Sequence, residues 1–377
     1  HRDAGEVLYE RSLNGVSIPV GEHQLQPAEP GDDVVLTLDR SLQYVVEETL
    51  AEQILATGAQ GGMVVAMVPG TGEILAMANL VVDDETGEVV PTGYNAAVVD
   101  SFAPGSVIKL VTIGASLEEG ESTPDELVSV PHGITYGGHL FQDATLHGDE
   151  VWPLSQVLVE SSNVGAIKVG LELGSERVGS YLDRFGFGRT TGLGFPVESS
   201  GLVRPWDEWR GSDLPAAVIG TGVQTTATQV LAAYNVVAND GVYVAPRLVD
   251  ARIDADGVRH PAPTAASHRV VSEATSADLA DMLTQVVEEG TGTLAAVPGY
   301  QVAGKTGTAW KLQEDGTFGD VGDREYMATF VGFAPVDDPR ISVIVVIDQP
   351  RNVHSGGSAA APAFSRITEH ALRMLDV

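Results

Sequence analysis

The chain has 377 residues, a hydrophobic fraction of 43% and no cysteine. These values fit a soluble, core-forming protein of one large domain or two, and they exclude disulfides, thiolate metal sites and thiol catalysis. The formal net charge of −31 argues against nucleic acid or an anionic membrane surface as the main partner, because such surfaces attract basic patches.

The first region in chain order is the segment of residues 1 to 38. It contains short β-prone runs broken by Asn-Gly, proline and glycine, and this pattern predicts strands and turns without a separate core. A helix follows, and Asp39 is its predicted N-cap. The apolar side chains expected on one face of this helix are Leu42, Val45, Val46, Leu50 and Ile54.

The next stretch, GGMVVAMVPGTGEILAMANL, has two apolar runs around PGTG, which predict a β-hairpin with both strands largely buried. Residues 106 to about 240 have helical periodicity interrupted by loops. A helix is then predicted at SADLADMLTQVVEEG, followed by three strands and a final helix. Strands at both ends of the chain, with helices between them, imply one sheet closed by the N- and C-terminal parts of a single domain.

Ser106 and Lys109 lie three residues apart in the segment APGSVIKL. On a helix that begins near Ser106 the two side chains would share a face, and a desolvated lysine amine can remove the proton of a serine hydroxyl. The alternative is an ordinary helix start with a solvated lysine. Lysine is rare here, however, since only four of the 21 basic residues are lysine: Lys109, Lys168, Lys305 and Lys311. An arginine cannot be deprotonated in a protein, so a lysine kept at this position favours a base.

Two further motifs follow in the chain. Ser161, Ser162 and Asn163 form the string SSN within a helical context, where a helix cap or turn is the simpler interpretation. The string KTGT, Lys305 to Thr308, lies in a predicted strand. It offers a cation, hydroxyl groups and, at Gly307, a residue that lets a substrate approach the backbone closely.

The three motifs occur in the order S-x-x-K, S-x-N, K-T-G, the set of the penicillin-binding proteins and serine β-lactamases. The chain resembles the transpeptidase domain of class B penicillin-binding proteins over nearly its whole length, including the segments PGTGEILAMAN, RFGFG and FVGFAP. The resemblance implies an α/β (α+β) fold in which a mainly antiparallel sheet is flanked by helices. It further implies a remnant of the pedestal region at residues 1 to 38 and a transpeptidase domain at 39 to 377, with a helical subdomain inserted at about 110 to 240.

The resemblance also assigns roles in catalysis. Ser106 would be the acylated nucleophile and Lys109 its general base, while Ser161 would relay a proton toward the leaving amine. Asn163 would hydrogen-bond the acyl-side amide of the substrate, and Lys305 would supply positive potential near Ser161 and the substrate.

The resemblance assigns substrate binding to the third motif and to backbone groups. The hydroxyls of Thr306 and Thr308 would hold the terminal carboxylate beside Gly307, and the N–H groups of Ser106 and Thr308 would form an oxyanion hole. Ile108 departs from the family, which often has Phe there; it would pack beneath the site and leave the chemistry unchanged. No cofactor and no metal are implied.

The implied activity is peptidoglycan D,D-transpeptidation of stem peptides that end in D-alanyl-D-alanine, with covalent inhibition by β-lactams. Two alternatives stay open: a serine β-lactamase, although the string Glu-x-x-Leu-Asn is absent between the second and third motifs, and a non-catalytic β-lactam sensor. SSN followed by VG favours a division-type protein with a membrane glycosyltransferase partner. Because the chain begins at His1 and has no apolar run of about 18 residues, we expect an upstream anchor at the outer face of the bacterial cytoplasmic membrane.

Overall fold

The structure is a computed structural model that describes residues 6–14, 18, 23–27, 31–311, 313, 317, 319 and 323–377. The chain divides into two compact units. The smaller unit comprises His1–Thr37 and Leu248–Thr264, and the larger comprises Leu38–Arg247 and Ala265–Val377.

The secondary structure of the described residues alternates between a few long elements and many short ones. The strands are β1 Glu6–Tyr9, β2 His23–Gln26, β3 Asp33–Leu36, β4 Gly61–Met67, β5 Ile74–Val82, β6 Val89–Pro91, β7 Leu127–Val130, β8 Ile134–Tyr136, β9 His139–Phe141, β10 Glu150–Pro153, β11 Val242–Val244, β12 Val249–Ile253, β13 Arg259–Pro261, β14 Ser267–Arg269, β15 Ala303–Trp310, β16 Tyr326–Ala334 and β17 Ile341–Asp348. The helices are α1 Arg40–Thr57, α2 Ala96–Val99, α3 Lys109–Glu118, α4 Leu154–Val159, α5 Asn163–Leu173, α6 Ser175–Arg184, α7 Asp213–Ile219, α8 Ala227–Ala238, α9 Glu273–Glu288, α10 Gly356–Ala359 and α11 Ala361–Met374. Short 3₁₀ turns lie at Gly105–Ile108, Trp206–Glu208 and Thr293–Ala295.

The smaller unit is built from short antiparallel strands. Strand β1 pairs with β2, and β12 lies between β3 and β13. Side chains such as Val7, Leu8 and Leu25 are exposed, as expected for a segment without a core of its own. The strands and turns predicted for residues 1 to 38 are confirmed where residues are described, and the rest of that prediction lies outside the described residues.

The larger unit is organised around a six-stranded antiparallel sheet with the order β15-β16-β17-β4-β5-β6. Strand β4 from the N-terminal part pairs with β17 from the C-terminal part, so the predicted closure of one sheet by both ends of the chain is confirmed. Helices α1 and α11 pack together and against this sheet, and α8 and α9 also pack against its strands. Strand β15 lies at an edge, which leaves one row of its backbone groups outside the ladder.

Helix α1 forms as predicted. The Asp39 side chain accepts hydrogen bonds from the backbone N–H groups of Ser41 and Leu42, both at 2.9 Å. Leu42, Val46, Leu50 and Ile54 are fully buried and Val45 is partly buried. The amphipathic spacing therefore places the predicted face against the sheet.

Two predictions need correction. Strands β4 and β5 form the predicted hairpin, but only β4 is buried along its whole length. Strand β5 alternates, because Ala76, Ala78 and Leu80 join the core while the residues between them are partly exposed. The region from 106 to 240 also contains the strand pairs β7 with β10 and β8 with β9, whose three or four residues each are too few to show a clear strand pattern in the sequence.

The cap of α1 provides a test of the fold. Replacing Asp39 with alanine leaves two N–H groups without their acceptor, so we expect a loss of about 1 kcal/mol in the free energy of unfolding. Asp39→Asn keeps a capping oxygen, so it should change the free energy of unfolding by only a few tenths of a kcal/mol. Urea unfolding followed by circular dichroism measures both, and equal losses for the two variants would contradict the capping role.

Candidate active site

The first motif lies where the chain enters helix α3. Ser106 is in the 3₁₀ turn Gly105–Ile108, and Lys109 is the first residue of α3. The predicted helix start near Ser106 is thus confirmed, with a tighter first turn than an α-helix. Lys109 Nζ lies 3.0 Å from Ser106 Oγ, so the two side chains share one face as expected. Ile108 is buried, as the resemblance implied.

The amine of Lys109 is fully buried among oxygen atoms. Besides Ser106 Oγ, its Nζ lies 2.6 Å from the carbonyl oxygen of Ser161 and 2.8 Å from Asn163 Oδ1. Those two oxygens can only accept, whereas a hydroxyl can donate as well. A neutral amine therefore donates its two N–H groups to the carbonyl oxygen of Ser161 and to Asn163 Oδ1. Its lone pair then faces the hydroxyl of Ser106, as a base requires.

The second motif bridges two helices. Helix α4 ends at Val159 and α5 begins at Asn163, and Ser161 between them has a positive φ of 60°. Such a conformation is uncommon for a residue with a side chain, and it brings the Ser161 carbonyl to 2.6 Å and its hydroxyl to 3.4 Å from Lys109 Nζ. Ser162 is the N-cap of α5 and accepts from the N–H of Gly165 at 2.8 Å. The motif therefore caps α5 and also places Ser161 beside Lys109.

Asn163 is held at both ends of its amide. Its Oδ1 faces Lys109 at 2.8 Å and its Nδ2 donates to the carbonyl of Gln142 at 3.0 Å. Because an amide NH₂ has two hydrogens, one donor remains for a ligand.

The third motif lies on the edge strand β15. Lys305 is fully buried, and its Nζ donates to the carbonyl of Thr306 at 3.3 Å and to Thr306 Oγ1 at 3.4 Å. The Thr306 hydroxyl lies 2.7 Å from Thr291 Oγ1. Thr308 is exposed, and its hydroxyl accepts from the N–H of Gly356 at 3.1 Å. Among the described residues no hydrogen bond joins Lys305 to Ser161.

Burial changes the pKa of both lysines. It lowers the pKa of Lys109 to about 7, and the carboxylate of Asp143 acts in the opposite direction. Burial also lowers the pKa of Lys305 well below its usual value, and repulsion from Lys109 adds to this effect. The neutral form of Lys109 is thus accessible near neutral pH, which an exposed lysine would not allow.

Glycines let the first and third motifs approach each other. Gly105 has a φ of 58°, and a Cβ there would lie 2.7 Å from the carbonyl oxygen of Thr308. A Cβ on Gly307 would lie 2.7 Å from the carbonyl oxygen of Pro104. The backbone of the turn that carries Ser106 therefore packs directly on the backbone of β15, and a side chain at either glycine would separate them.

Residues that the sequence analysis missed support this arrangement from distant parts of the chain. Gly356 contacts Thr308, Thr291 contacts Thr306, and Gln142 holds Asn163. Of these supporting residues, only Gly356 is marked in the sequence, because it is followed by a second glycine, Gly357. A Cβ on Gly356 would lie 2.5 Å from the carbonyl oxygen of Gly307, so only glycine fits there.

Comparison with known proteins places the chain in a family. The model of the penicillin binding protein transpeptidase domain matches residues 62–369, and the chain belongs to that family. It is 39% identical over 376 residues to penicillin-binding protein PbpB of Mycobacterium tuberculosis, covering 96% of this chain and 55% of that protein. It is 32% identical to stage V sporulation protein D of Bacillus subtilis, covering 100% of this chain and 59% of that protein. The chain thus spans less than two thirds of these relatives.

Solved structures agree with the family and its fold. The crystal structure of penicillin-binding protein 3 from Mycobacterium tuberculosis in complex with aztreonam has a TM-score of 0.85 and 37% identity, covering 92% of this chain and 80% of that one. The complex of the same protein with ampicillin has a TM-score of 0.85, covering 94% and 80%. The expected fold, a mainly antiparallel sheet flanked by helices, is confirmed.

Two features are absent from the described residues. No helix among them is long and apolar enough to cross a membrane. No group of three or more histidine, aspartate or glutamate side chains among them is arranged to hold a metal ion.

The pKa of Lys109 predicts a pH profile. If the neutral amine is the base for Ser106, acylation by a penicillin should fall about tenfold per pH unit below a pKa of about 7 and reach a plateau above it. Stopped-flow measurement of acylation between pH 5 and 9 tests this. A rate that is flat across pH 7 would contradict a titrating base at this position.

Proposed function

We propose that this chain is a serine D,D-transpeptidase of peptidoglycan synthesis, which cross-links stem peptides through an acyl-enzyme on Ser106. The observation that carries the proposal is the buried amine of Lys109, 3.0 Å from Ser106 Oγ with its two other close contacts to acceptor oxygens. Family membership supports it, and five relatives carry the name "probable peptidoglycan D,D-transpeptidase", among them PenA of Neisseria gonorrhoeae.

Acylation would begin with transfer of the Ser106 hydroxyl proton to Lys109. The oxygen of Ser106 attacks the carbonyl between the two D-alanines, and the tetrahedral intermediate then expels the terminal D-alanine as an amine. That amine needs a proton, which Lys109 returns through the hydroxyl of Ser161, 3.4 Å from Nζ. The product is an ester at Ser106, and no net proton is gained or lost.

Stabilisation of the oxyanion would come from the backbone N–H groups of Ser106 and Thr308. The close packing of Gly105 on Thr308 supports this, because a Cβ on Gly105 would lie 3.3 Å from the nitrogen of Thr308. Fixed N–H donors in such a place lower the barrier without reorganisation.

Binding of the terminal carboxylate is assigned to the hydroxyls of Thr306 and Thr308, which alternate with Lys305 and Gly307 along β15. A carboxylate there would favour the protonated form of Lys305, whose buried amine otherwise has a low pKa. Asn163 would use its remaining N–H to hold the acyl-side amide of the substrate.

Deacylation would transfer the peptide to an acceptor amine. The acceptor amine would lose a proton through the hydroxyl of Ser161 to Lys109 and attack the ester carbonyl. The bond from the acyl carbon to Ser106 Oγ would then break, and Lys109 would return the proton to that oxygen. A β-lactam would acylate Ser106 in the same way, and two structures of the relative from Mycobacterium tuberculosis contain aztreonam and ampicillin. A β-lactamase needs a poised water and base, and among the described residues no carboxylate is hydrogen-bonded to Ser106.

The setting of the reaction is part of the proposal. We assign the transpeptidation to the outer face of the bacterial cytoplasmic membrane, where it would serve septal wall synthesis beside a membrane glycosyltransferase. The motif SSNVG and the likeness to PbpB and to a sporulation protein support this. Residues 39 to 377 would be the transpeptidase domain, with the helical subdomain at about 110 to 240.

One experiment tests both the nucleophile and the activity. The protein is incubated with a fluorescent penicillin and the labelled peptide is located by mass spectrometry, while a D-alanyl-D-alanine pentapeptide and a D-amino acid acceptor are assayed for exchange. We expect the label on Ser106 and exchange that is blocked by penicillin. A label on another residue would overturn the assignment.

Replacing Lys109 tests the base. Lys109→Arg keeps a cation that cannot be deprotonated, so we expect a folded protein whose acylation by penicillin is slower by on the order of 10²- to 10⁴-fold. Lys311→Arg is the matched control, since Lys311 is a partly exposed lysine paired with Asp348 at 2.8 Å. Near-normal acylation of Lys109→Arg would show that the base lies elsewhere.

The lifetime of the acyl-enzyme separates a transpeptidase from a β-lactamase. With no group assigned to activate water, release of penicillin label should take on the order of minutes to hours. The measurement follows the label after removal of free penicillin, with Ser106→Ala as the unlabelled control. Steady hydrolysis at several turnovers per second would make the β-lactamase assignment correct.

A further inference from the structure

The loop between strands β9 and β10, residues 142–149, contacts the second motif from outside the motifs themselves. Gln142 holds Asn163 through its carbonyl, as described above. The next residue, Asp143, has a side chain that is only 7% exposed. A buried carboxylate must be paired, so its partners show what it does.

Asp143 binds the N-terminus of helix α5. Its Oδ2 accepts from the hydroxyl of Ser162 at 2.7 Å, and its Oδ1 accepts from the backbone N–H of Val164 at 2.9 Å. A negative charge at a helix N-terminus is stabilised by the N–H groups that point toward it. Asp143 therefore fixes Ser162, which lies between the two site residues Ser161 and Asn163.

The third partner of Asp143 is His147. His147 Nε2 lies 2.9 Å from Asp143 Oδ2, and its Nδ1 lies 2.6 Å from the carbonyl oxygen of Gly148. Both ring nitrogens thus face oxygens that can only accept, which is the arrangement of a doubly protonated imidazole. The ring also packs beside Trp152, with centroids 5.1 Å apart. The hydrogen bonds to Asp143 and Gly148 raise the pKa of His147 accordingly.

Several charged groups surround Lys109 and Asp143. Asp143 raises the pKa of Lys109, and repulsion from Lys109 lowers the pKa of Lys305. His147 faces Asp143, and the carboxylates of Glu150 and Asp149 act on His147 in turn. Asp143 is thus connected to Lys109 twice, through the backbone of the second motif and through its charge.

We propose that Asp143, held in place by His147, is a positioning residue for acylation: it fixes the turn that carries Ser161 and Asn163, and it places a negative charge behind that turn. This rests on the proposed function, in which Lys109 is the base for Ser106. Among the described residues Asp143 makes no hydrogen bond to Ser106 or Lys109, so it is a positioning residue and not a catalytic one.

The decisive measurement is the pH profile of penicillin acylation in three variants. Asp143→Asn removes the charge and keeps the shape, and we expect the acidic limb of the profile to move to lower pH by roughly half a unit or more. His147→Gln can still donate to Asp143 but leaves the carboxylate without its cation, so the limb should move to higher pH. Ser162→Ala removes one contact and leaves the charge; we expect the plateau rate to fall about tenfold without a shift of the limb.

Asp338→Asn is the control, because the side chain of Asp338 is 80% exposed and its ion pair is with Arg340, not with a group of this loop or of the site. Its limb should stay at the wild-type pH. If Asp143→Asn does not fold, the test is whether the acidic limb of His147→Gln lies at higher pH than that of the wild-type protein. Folded variants of Asp143 and His147 that both keep the wild-type limb would overturn the inference. A wild-type protein that is not acylated at all would instead overturn the proposed function.

Discussion

The site depends on one buried amine. Lys109 has no exposed surface, and its Nζ is surrounded by oxygens from Ser106, Ser161 and Asn163. A permanent charge in that position would carry the full cost of desolvation, whereas a lysine can lose its proton and keep three short contacts. Helix α3, the break between α4 and α5, and through Asn163 the loop after β9 all converge on this atom. Arginine could not replace it, because its charge is permanent and its planar group needs more acceptors.

Such a cluster requires that backbones come closer than side chains normally allow. Gly105 and Gly307 remove the Cβ atoms that would separate the Ser106 turn from β15, and Gly356 does the same between α10 and β15. A Cβ on Gly220 would likewise lie 2.2 Å from the carbonyl oxygen of Gly105. The site therefore depends on these glycines as much as on the side chains that contact Lys109. An edge strand is the suitable partner, since its free N–H groups remain available to a ligand.

The sequence predicted what local patterns determine. The first two motifs gave the residues that meet around Lys109, the third gave the polar residues of β15, and apolar spacing gave α1, α9 and the strands β15 to β17. It did not predict the pairing of β7 with β10 or of β8 with β9, because each of these strands has only three or four residues, too few to show a clear alternation of apolar and polar side chains. Nor did it predict Asp143, Thr291 or Gly356, whose partners lie 21, 15 and 48 residues away in the chain. Contacts of that kind depend on packing, which no single local pattern specifies.

The distribution of basic residues follows from the same chemistry. Several arginines form ion pairs at the surface, such as Arg252 with Asp32 and Arg366 with Glu52, where a permanent charge costs little. Lysine is rare, yet two of its four positions are the fully buried Lys109 and Lys305. With a net charge of −31 the protein as a whole repels an anionic ligand, and salt weakens that repulsion beyond about 10 Å. A buried pair of amines is screened far less. A carboxylate entering beside Thr306 and Thr308 would therefore respond mainly to the protonation of these two lysines, and its arrival would favour the charged form of Lys305 while Lys109 stays free to act as a base.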